Sequence, residues 1–113
     1  MVFSWMIAHD YLEIKLALPC NPDHQPLAIE SIFHAKAGII EDSGGNRLAF
    51  NGSINETVKG WTGNWESFHV FTDWEGSKGH VNAEESNFAE LWANRAKRCL
   101  VIDVPTAVRE KLL

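Results

Sequence analysis

The fold of this chain is decided by residues 32–55, which have the sequence IFHAKAGIIEDSGGNRLAFNGSIN. Two stretches with the apolar and alternating character of strands, 32–40 and 47–51, flank a segment that is rich in glycine, asparagine and aspartate. Such residues favour a tight turn between paired strands. The pattern predicts a β-hairpin with its turn at residues 42–46.

The predicted hairpin brings a histidine and a lysine next to a small polar segment. A turn over residues 42–46 places Lys36 opposite Gly52 and His34 opposite Ile54. Residues i and i+2 of a strand lie on the same face, so His34 and Lys36 share one row. This row suits the solvent face of an edge strand, or it forms part of a site.

The four side chains of His34, Lys36, Ser53 and Asn55 suit the chemistry of a phosphodiester. A neutral imidazole can attack phosphorus, and an imidazolium can protonate the leaving oxygen. Lysine and asparagine can stabilise the charge on the phosphoryl oxygens. One histidine cannot easily perform both tasks in one step, so the site needs a second imidazole. A homodimer that presents two copies of His34 supplies it, since twofold pairing is the commonest oligomer symmetry.

The other histidines are weaker candidates for the second imidazole. None of them has a lysine two residues later; they are His9, His24, His69 and His80. We expect His69 to be a packed or edge residue of a strand, and His24 and His80 to lie on the surface.

Length and composition indicate one soluble globular domain. The chain has 113 residues, of which 45% are hydrophobic and 22% charged. It has no apolar run near the ~20 residues of a membrane helix and no signal-peptide pattern at its start. Cys20 and Cys99 form neither a disulfide framework nor a zinc pattern. We therefore expect two reduced thiols in a cytoplasmic protein that has no contact with a membrane.

The net charge of −5 argues against an extensive surface for nucleic acid. The nearest approach to a basic run is Asn94-Arg95-Ala96-Lys97-Arg98. Any affinity for nucleic acid is therefore local, weak or supplied from outside this chain.

The remaining elements complete an α/β (α+β) sandwich. Their order predicts one mixed sheet of about five strands with flanking helices. The expected elements are a helix tail over 2–12, strands over 13–18, 67–72 and 99–104, a helix that opens at Ala83-Glu84-Glu85, and a last helix from Pro105 to Leu113. We expect the apolar strand 99–104 to be central in its sheet.

Two side-chain patterns add to this outline. Phe88, Leu91 and Trp92 have the spacing of one apolar helix face. The carboxylates of Glu84, Glu85 and Glu90 are expected on a solvated face. The tryptophans around the hairpin could stack on bases, pack beneath loops or lie at a subunit contact; they are Trp61, Trp65 and Trp74.

The two motifs together resemble those of the phospholipase D superfamily, HxKxxxxD followed by GSxN. The wider sequence is similar to the phospholipase D-like domain that is attached to DEAD/DEAH-type helicases of bacteria and archaea. The similarity covers residues 33–40, 46–57 and 64–71, then Phe88, Leu91-Trp92 and residues 105–113. It implies that residues 1–113 form a single domain of this kind that lacks its amino-terminal strands.

The resemblance also implies roles for individual residues. His34 would form a phosphohistidine or act as the acid from the other subunit, while Lys36 and Asn55 would bind the phosphate. Ser53 would form a hydrogen bond within the site, and Glu66 would orient the histidine. The family aspartate should stand five residues after the lysine. Glu41 occupies that position and Asp42 follows it, so both are candidates for the acidic partner.

The implied function is that of a phosphodiesterase, most simply a nuclease, that needs neither metal nor cofactor. Its substrate would be DNA rather than RNA, and its partners a second copy of the chain and a helicase. The alternative is a catalytically degenerate module that binds nucleic acid or a helicase without turnover.

Overall fold

The computed structural model describes residues 2–27, 36–52, 62–63, 65 and 67–111. In these ranges the chain has mixed α and β structure, with five strands as predicted. The elements are α1 (Val2–Ala8), β1 (Lys15–Pro19), β2 (Lys36–Glu41), β3 (Arg47–Gly52), β4 (Phe68–Thr72), α2 (Lys78–Trp92), β5 (Cys99–Asp103) and α3 (Val104–Arg109). The chain divides into two compact units. We call Ile32–Glu90 the hairpin unit, and Met1–Ser31 with Leu91–Leu113 the terminal unit.

The strands form two antiparallel sheets and not the single mixed sheet that the element order predicted. The hairpin unit contains a sheet with the order β2-β3-β4, and the terminal unit pairs β1 with β5. Within the described residues β5 has one neighbour and is therefore not central. Its apolar sequence reflects burial instead, since Cys99 and Val101 are 6% and 7% exposed.

The hairpin has the predicted register. Lys36 pairs with Gly52 at one end of β2 and β3, and Glu41 pairs with Arg47 at the other. The turn between them is closed by two backbone bonds: Asp42 donates to the Asn46 carbonyl at 3.0 Å, and Gly45 donates to the Asp42 carbonyl at 3.1 Å. Gly45 has a φ of +83°, which glycine adopts without strain.

Helix α2 covers one face of the three-stranded sheet. Asn51 Nδ2 donates to Glu84 Oε1 at 2.9 Å, and the guanidinium of Arg47 donates to Glu85. Ala49 lies on the same face of β3 and is completely buried. The expected solvated face is confirmed for Glu85, whose side chain is 50% exposed, and for the exposed Glu90. Glu84 is half-buried and accepts its hydrogen bond from β3.

Helix α2 also begins earlier than predicted, at Lys78 and not at Ala83. The carbonyl of Ser77 accepts hydrogen bonds from the amides of His80 and Val81, which starts the helix. The start was hard to predict from the sequence because Gly79 lies in it and glycine lowers helix propensity. The helix buries Val81 completely, whereas Phe88 of the predicted apolar face is 50% exposed.

The terminal unit has a small core around its two cysteines. Cys20 and Ala107 of α3 are both fully buried. Cys99 pairs with Pro19 in the two-stranded sheet. Both thiols are free, as expected. Burial, and after it the nearby Cys20, raises the pKa of the Cys99 thiol.

The last helix has its proline in the first turn, as predicted, but it begins one residue earlier, at Val104, and ends at Arg109 instead of continuing to Leu113. Asp103 caps α3, and its Oδ1 accepts from the Thr106 amide at 2.7 Å. This hydrogen bond lowers the pKa of Asp103. Among the described residues, no helix combines the length and the apolar character needed to cross a bilayer.

Candidate functional site

The candidate site is represented in the structure by Lys36 and Gly52, which face each other at the end of the hairpin. Lys36 is half-buried. A Cβ atom at Gly52 would collide with the backbone carbonyl of Ser67 and would lie 2.5 Å from the Cα of Phe68. The sequence suggested that this glycine leaves room for a ligand. In the structure, glycine is needed at this position because the backbone that enters β4 passes very close to it.

The face of the sheet that carries Lys36 is the one opposite α2. Lys36, Gly38 and Ile40 share it on β2, because side chains alternate along a strand. The ring of Phe50 lies over Gly38, where an added Cβ would be 2.6 Å from its Cε1. Ile40 is 60% exposed and Val70 of β4 is 47% exposed. Lys36 therefore belongs to a row on an open and largely apolar sheet face.

Four predicted site residues lie outside the described residues. They are His34, Ser53, Asn55 and Glu66. Trp61 and the expected pairing of His34 with Ile54 fall there too. The roles assigned to these residues stay predictions. In sequence, His34 lies two positions before Lys36, and Ser53 directly follows Gly52.

The structure does not bring the two acidic candidates to Lys36. Glu41 lies at an odd spacing from Lys36 along β2 and so on the other face, where it pairs with Arg47. Asp42 lies in the turn, and its Oδ1 accepts from the amides of Gly44 at 2.8 Å and Asn46 at 3.0 Å. Its Oδ2 accepts from Asn46 Nδ2 at 2.9 Å, and this bond is the main reason for its lowered pKa. Asp42 thus stabilises the turn, at the far end of the strand from Lys36.

The two described histidines of the hairpin unit, His69 and His80, do not share the sheet face of Lys36. His69 is exposed on β4 and pairs with Asn51, so it lies on the face that α2 covers. His80 of α2 stacks on Phe71 with a centroid distance of 4.7 Å. His24 is half-buried, and its Nε2 lies 2.9 Å from the carbonyl oxygen of Ala96. Among the described residues of the hairpin unit, no imidazole stands beside Lys36.

Two of the three tryptophans are described and both are largely exposed. Trp65 is 91% exposed and Trp74 is 54% exposed. Packing beneath loops is therefore wrong for both rings, while a subunit contact and stacking on bases stay predictions. Exposed rings of this kind are available for stacking or for contact with another molecule.

No pattern in the sequence indicates the polar network around Arg47. Arg47 Nε and Asp73 Oδ2 form an ion pair at 3.1 Å, with side chains that are 16% and 13% exposed. The same guanidinium donates to Asn82 Oδ1 at 2.8 Å and to Glu85. The amide of Arg47 donates to Asp73 Oδ1, which is the main reason for the lowered pKa of Asp73. These contacts join residues far apart in sequence.

Comparison with known proteins adds no relative. Neither family models nor curated proteins nor solved structures match the chain. The described residues also contain no group of three or more histidine, cysteine, aspartate or glutamate side chains placed to hold a metal ion.

Proposed function

We propose that this chain is a phosphodiesterase module, and specifically a nuclease, that acts through a phosphohistidine without a metal ion. The observation that carries the proposal is the pairing of Lys36 with Gly52. This register supports the prediction that the chain on either side, with His34 before Lys36 and Ser53 to Asn55 after Gly52, meets at one end of the hairpin. The phospholipase D-like motifs supply the chemical roles.

The proposed reaction has two steps. An imidazole nitrogen of His34 attacks phosphorus, and the bond from phosphorus to the leaving alcohol oxygen breaks as an imidazolium donates a proton to that oxygen. Water then attacks the phosphohistidine, the nitrogen–phosphorus bond breaks, and the water proton passes to the neutral imidazole. The products are a phosphomonoester and an alcohol. The ammonium of Lys36 stabilises the negative charge on phosphorus in both steps.

The second imidazole comes from a second copy of the chain. In the hairpin unit, the described histidines His69 and His80 do not share the sheet face of Lys36, which supports a site made from two copies of His34. DNA is the proposed substrate, and a helicase is the proposed partner that delivers it. The proposed compartment is the cytoplasm.

Cleavage of bis(p-nitrophenyl) phosphate in excess EDTA tests the proposal. We expect the wild type to release nitrophenol, and His34→Gln to reduce the rate by at least about 10³-fold because it removes the nucleophile. Lys36→Gln should reduce the rate by about 10²–10³-fold. Equal rates in the wild type and His34→Gln, or a requirement for a divalent metal, would contradict the mechanism.

Matched variants separate the site from general effects of the substitutions. His9→Gln removes an exposed imidazole from the terminal unit, and Lys111→Gln removes an exposed ammonium. Both should retain the wild-type rate within about twofold, since surface substitutions of this kind are usually mild.

The second candidate is a degenerate module that binds nucleic acid or a helicase without turnover. The positions of Glu41 and Asp42 favour it, because neither carboxylate lies beside Lys36. This candidate predicts that oligonucleotide binds, that no phosphodiester is cleaved, and that the chain remains a monomer in light scattering.

A further inference from the structure

The terminal unit contains an open cavity of about 590 Å³ that is lined by basic residues. The described residues that line it are Pro22, His24, Arg95, Lys97 and Arg98. Three of the ten lysines and arginines of the chain thus meet at one surface, although the net charge of the chain is −5. Among the described residues, no carboxylate lines this cavity. The cavity is therefore a local positive site on an acidic protein.

Residues 95–98 supply the three basic side chains, and we call them the basic segment. Backbone contacts hold this segment against the loop that follows β1. The carbonyl of Arg98 accepts from the Cys20 amide at 3.1 Å, and the carbonyl of Ala96 lies 2.9 Å from His24 Nε2, which requires the proton on that nitrogen. Beyond the segment, Asn94 Oδ1 accepts from the Val101 amide at 2.8 Å. The carbonyls are thus used inside the unit, while Arg95, Lys97 and Arg98 are exposed. Because its backbone is already held, this segment loses little further backbone entropy when a ligand binds to its side chains.

The loop that supplies the other side of the cavity is itself fixed. Asn21 Oδ1 accepts from the amides of Asp23 at 3.0 Å and Gln25 at 2.9 Å, and Cys20 forms a bridge with Pro26. His24 has a φ of +57°, so its ring is placed by a specific backbone conformation. Both walls of the cavity are therefore pre-organised.

We propose that this basic cavity binds phosphate groups of a nucleic-acid strand. Arginine presents a planar fork of donors that matches two phosphate oxygens, and lysine adds a point charge. A volume of this size holds a ligand of small-molecule dimensions, such as a nucleotide of a flexible strand. An anionic membrane is the less suitable ligand, because Pro22 is the one apolar residue in the described lining and membrane association also needs a buried apolar face.

The inference rests on the proposed function only for the choice of nucleic acid as the polyanion. Binding at this cavity is measured without cleavage, so a failure here is distinct from a failure of the phosphohistidine mechanism. All proteins in the test carry His34→Gln, so that the proposed cleavage does not occur during the binding measurement.

The test is the affinity for a fluorescein-labelled single-stranded oligonucleotide at several salt concentrations. We expect the variant Arg95→Gln/Lys97→Gln/Arg98→Gln to bind at least about tenfold more weakly than the parent. The slope of log affinity against log salt should decrease by about 2, because each phosphate contact on a single strand contributes about 0.7.

A charge-matched control distinguishes the cavity from the net charge. The variant Lys78→Gln/Arg109→Gln/Lys111→Gln also loses three positive charges, but at exposed positions that do not line the cavity. It should bind within about threefold of the parent. Equal losses in the two triple variants would overturn the proposal, as would an absence of salt-dependent binding in the parent. Equal or tighter binding to phosphatidylserine vesicles would overturn the assignment to nucleic acid.

Folding is checked by circular dichroism and thermal melting. If the basic triple variant melts early, the single variants Lys97→Gln and Arg98→Gln replace it. Each should lower the salt slope by about 0.7, and an unchanged slope in both would overturn the proposal.

Discussion

At the scale of single residues, the structure distinguishes glycines that sequence inspection treats alike. Gly52 is required by a close approach to backbone, since a Cβ there would meet the chain at Ser67 and Phe68. Gly79 has nothing within 4 Å of the position of an added Cβ. The same substitution should therefore have opposite effects at the two positions.

We predict that Gly52→Ala destabilises the protein by about 1–3 kcal/mol, because backbone must move to admit the methyl group. Gly79→Ala should instead stabilise it, by up to about 1 kcal/mol, because alanine restricts the unfolded chain more than glycine does. Urea unfolding followed by circular dichroism measures both effects. A stabilising Gly52→Ala would contradict the packing described for the end of the hairpin.

A second prediction concerns Asp42, which resemblance to a family made a candidate for catalysis. Its carboxylate accepts three hydrogen bonds inside the turn. Asp42→Ala should lower the melting temperature by several degrees and leave the cleavage rate per folded molecule within about twofold of the wild type. Asn46→Ala removes one of the same bonds and is the matched variant. A large loss of activity in Asp42→Ala at unchanged stability would show that Asp42 takes part in the reaction.

The sequence was informative where the decisive interactions are local. The turn chemistry of residues 42–46 determined the hairpin and its register, so the pairing of Lys36 with Gly52 was predicted. The partners of Arg47 come from β4 and α2, and no local pattern indicates contacts over such separations. The remaining site residues, His34, Ser53, Asn55 and Glu66, stay predictions from motif and spacing.

At the scale of elements, the Arg47 network connects the start of β3 with the end of β4 and with α2. Hydrogen bonds from Arg47, first from its amide, lower the pKa of Asp73 below the ordinary value of 3.8. A carboxyl whose pKa is lower in the folded state contributes stability that is fully present above its unfolded pKa. This stability is lost as the pH falls through the folded pKa.

We therefore predict that the wild type loses stability as the pH is lowered below about 4. Asp73→Asn should be less stable at pH 7, and the difference from the wild type should shrink as the pH falls through the acid range. Arg47 stays protonated throughout and adds no pH dependence of its own. Asp23→Asn, in an exposed loop, is the control. Melting curves between pH 2 and 7 measure the effect, and a constant difference across this range would contradict it.

The elements of the terminal unit show why the sheet organisation was harder to predict than the strands. Strands β1 and β5 come from opposite ends of the sequence and pair with each other. An apolar strand in a sequence is equally compatible with a central position in one large sheet and with a two-stranded sheet that is covered by a helix. In this unit Ala107 of α3 is fully buried, as Cys20 is, which agrees with the second arrangement.

This small core predicts the reactivity of the cysteines. Cys20 and Cys99 are buried, and burial raises the pKa of Cys99, so less thiolate is present at a given pH. At pH 8 iodoacetamide should modify the native protein at least about tenfold more slowly than the unfolded protein in urea. Mass spectrometry of the labelled protein measures both rates. Rapid labelling of both thiols under native conditions would contradict the closed core around β1 and β5.

At the scale of the whole molecule, the proposed chemistry depends on how many chains form a site. A nucleophile and an acid are both required, and the described histidines of the hairpin unit, His69 and His80, do not share the sheet face of Lys36. If two copies of His34 share one site, a chain with His34→Gln impairs the wild-type chain with which it pairs. If one chain is sufficient, the variant has no effect on its neighbour.

We predict that the variant lowers the activity of the wild type when equal amounts are unfolded and refolded together. Random pairing leaves about a quarter of twofold dimers with two intact histidines, so the activity per wild-type chain should fall to about half. Lys111→Gln mixed in the same way is the control and should leave that activity unchanged. Light scattering on each mixture verifies that dimers form. Full activity per wild-type chain in dimeric mixtures with His34→Gln would show that one imidazole completes the reaction, and the two-copy site would then be wrong.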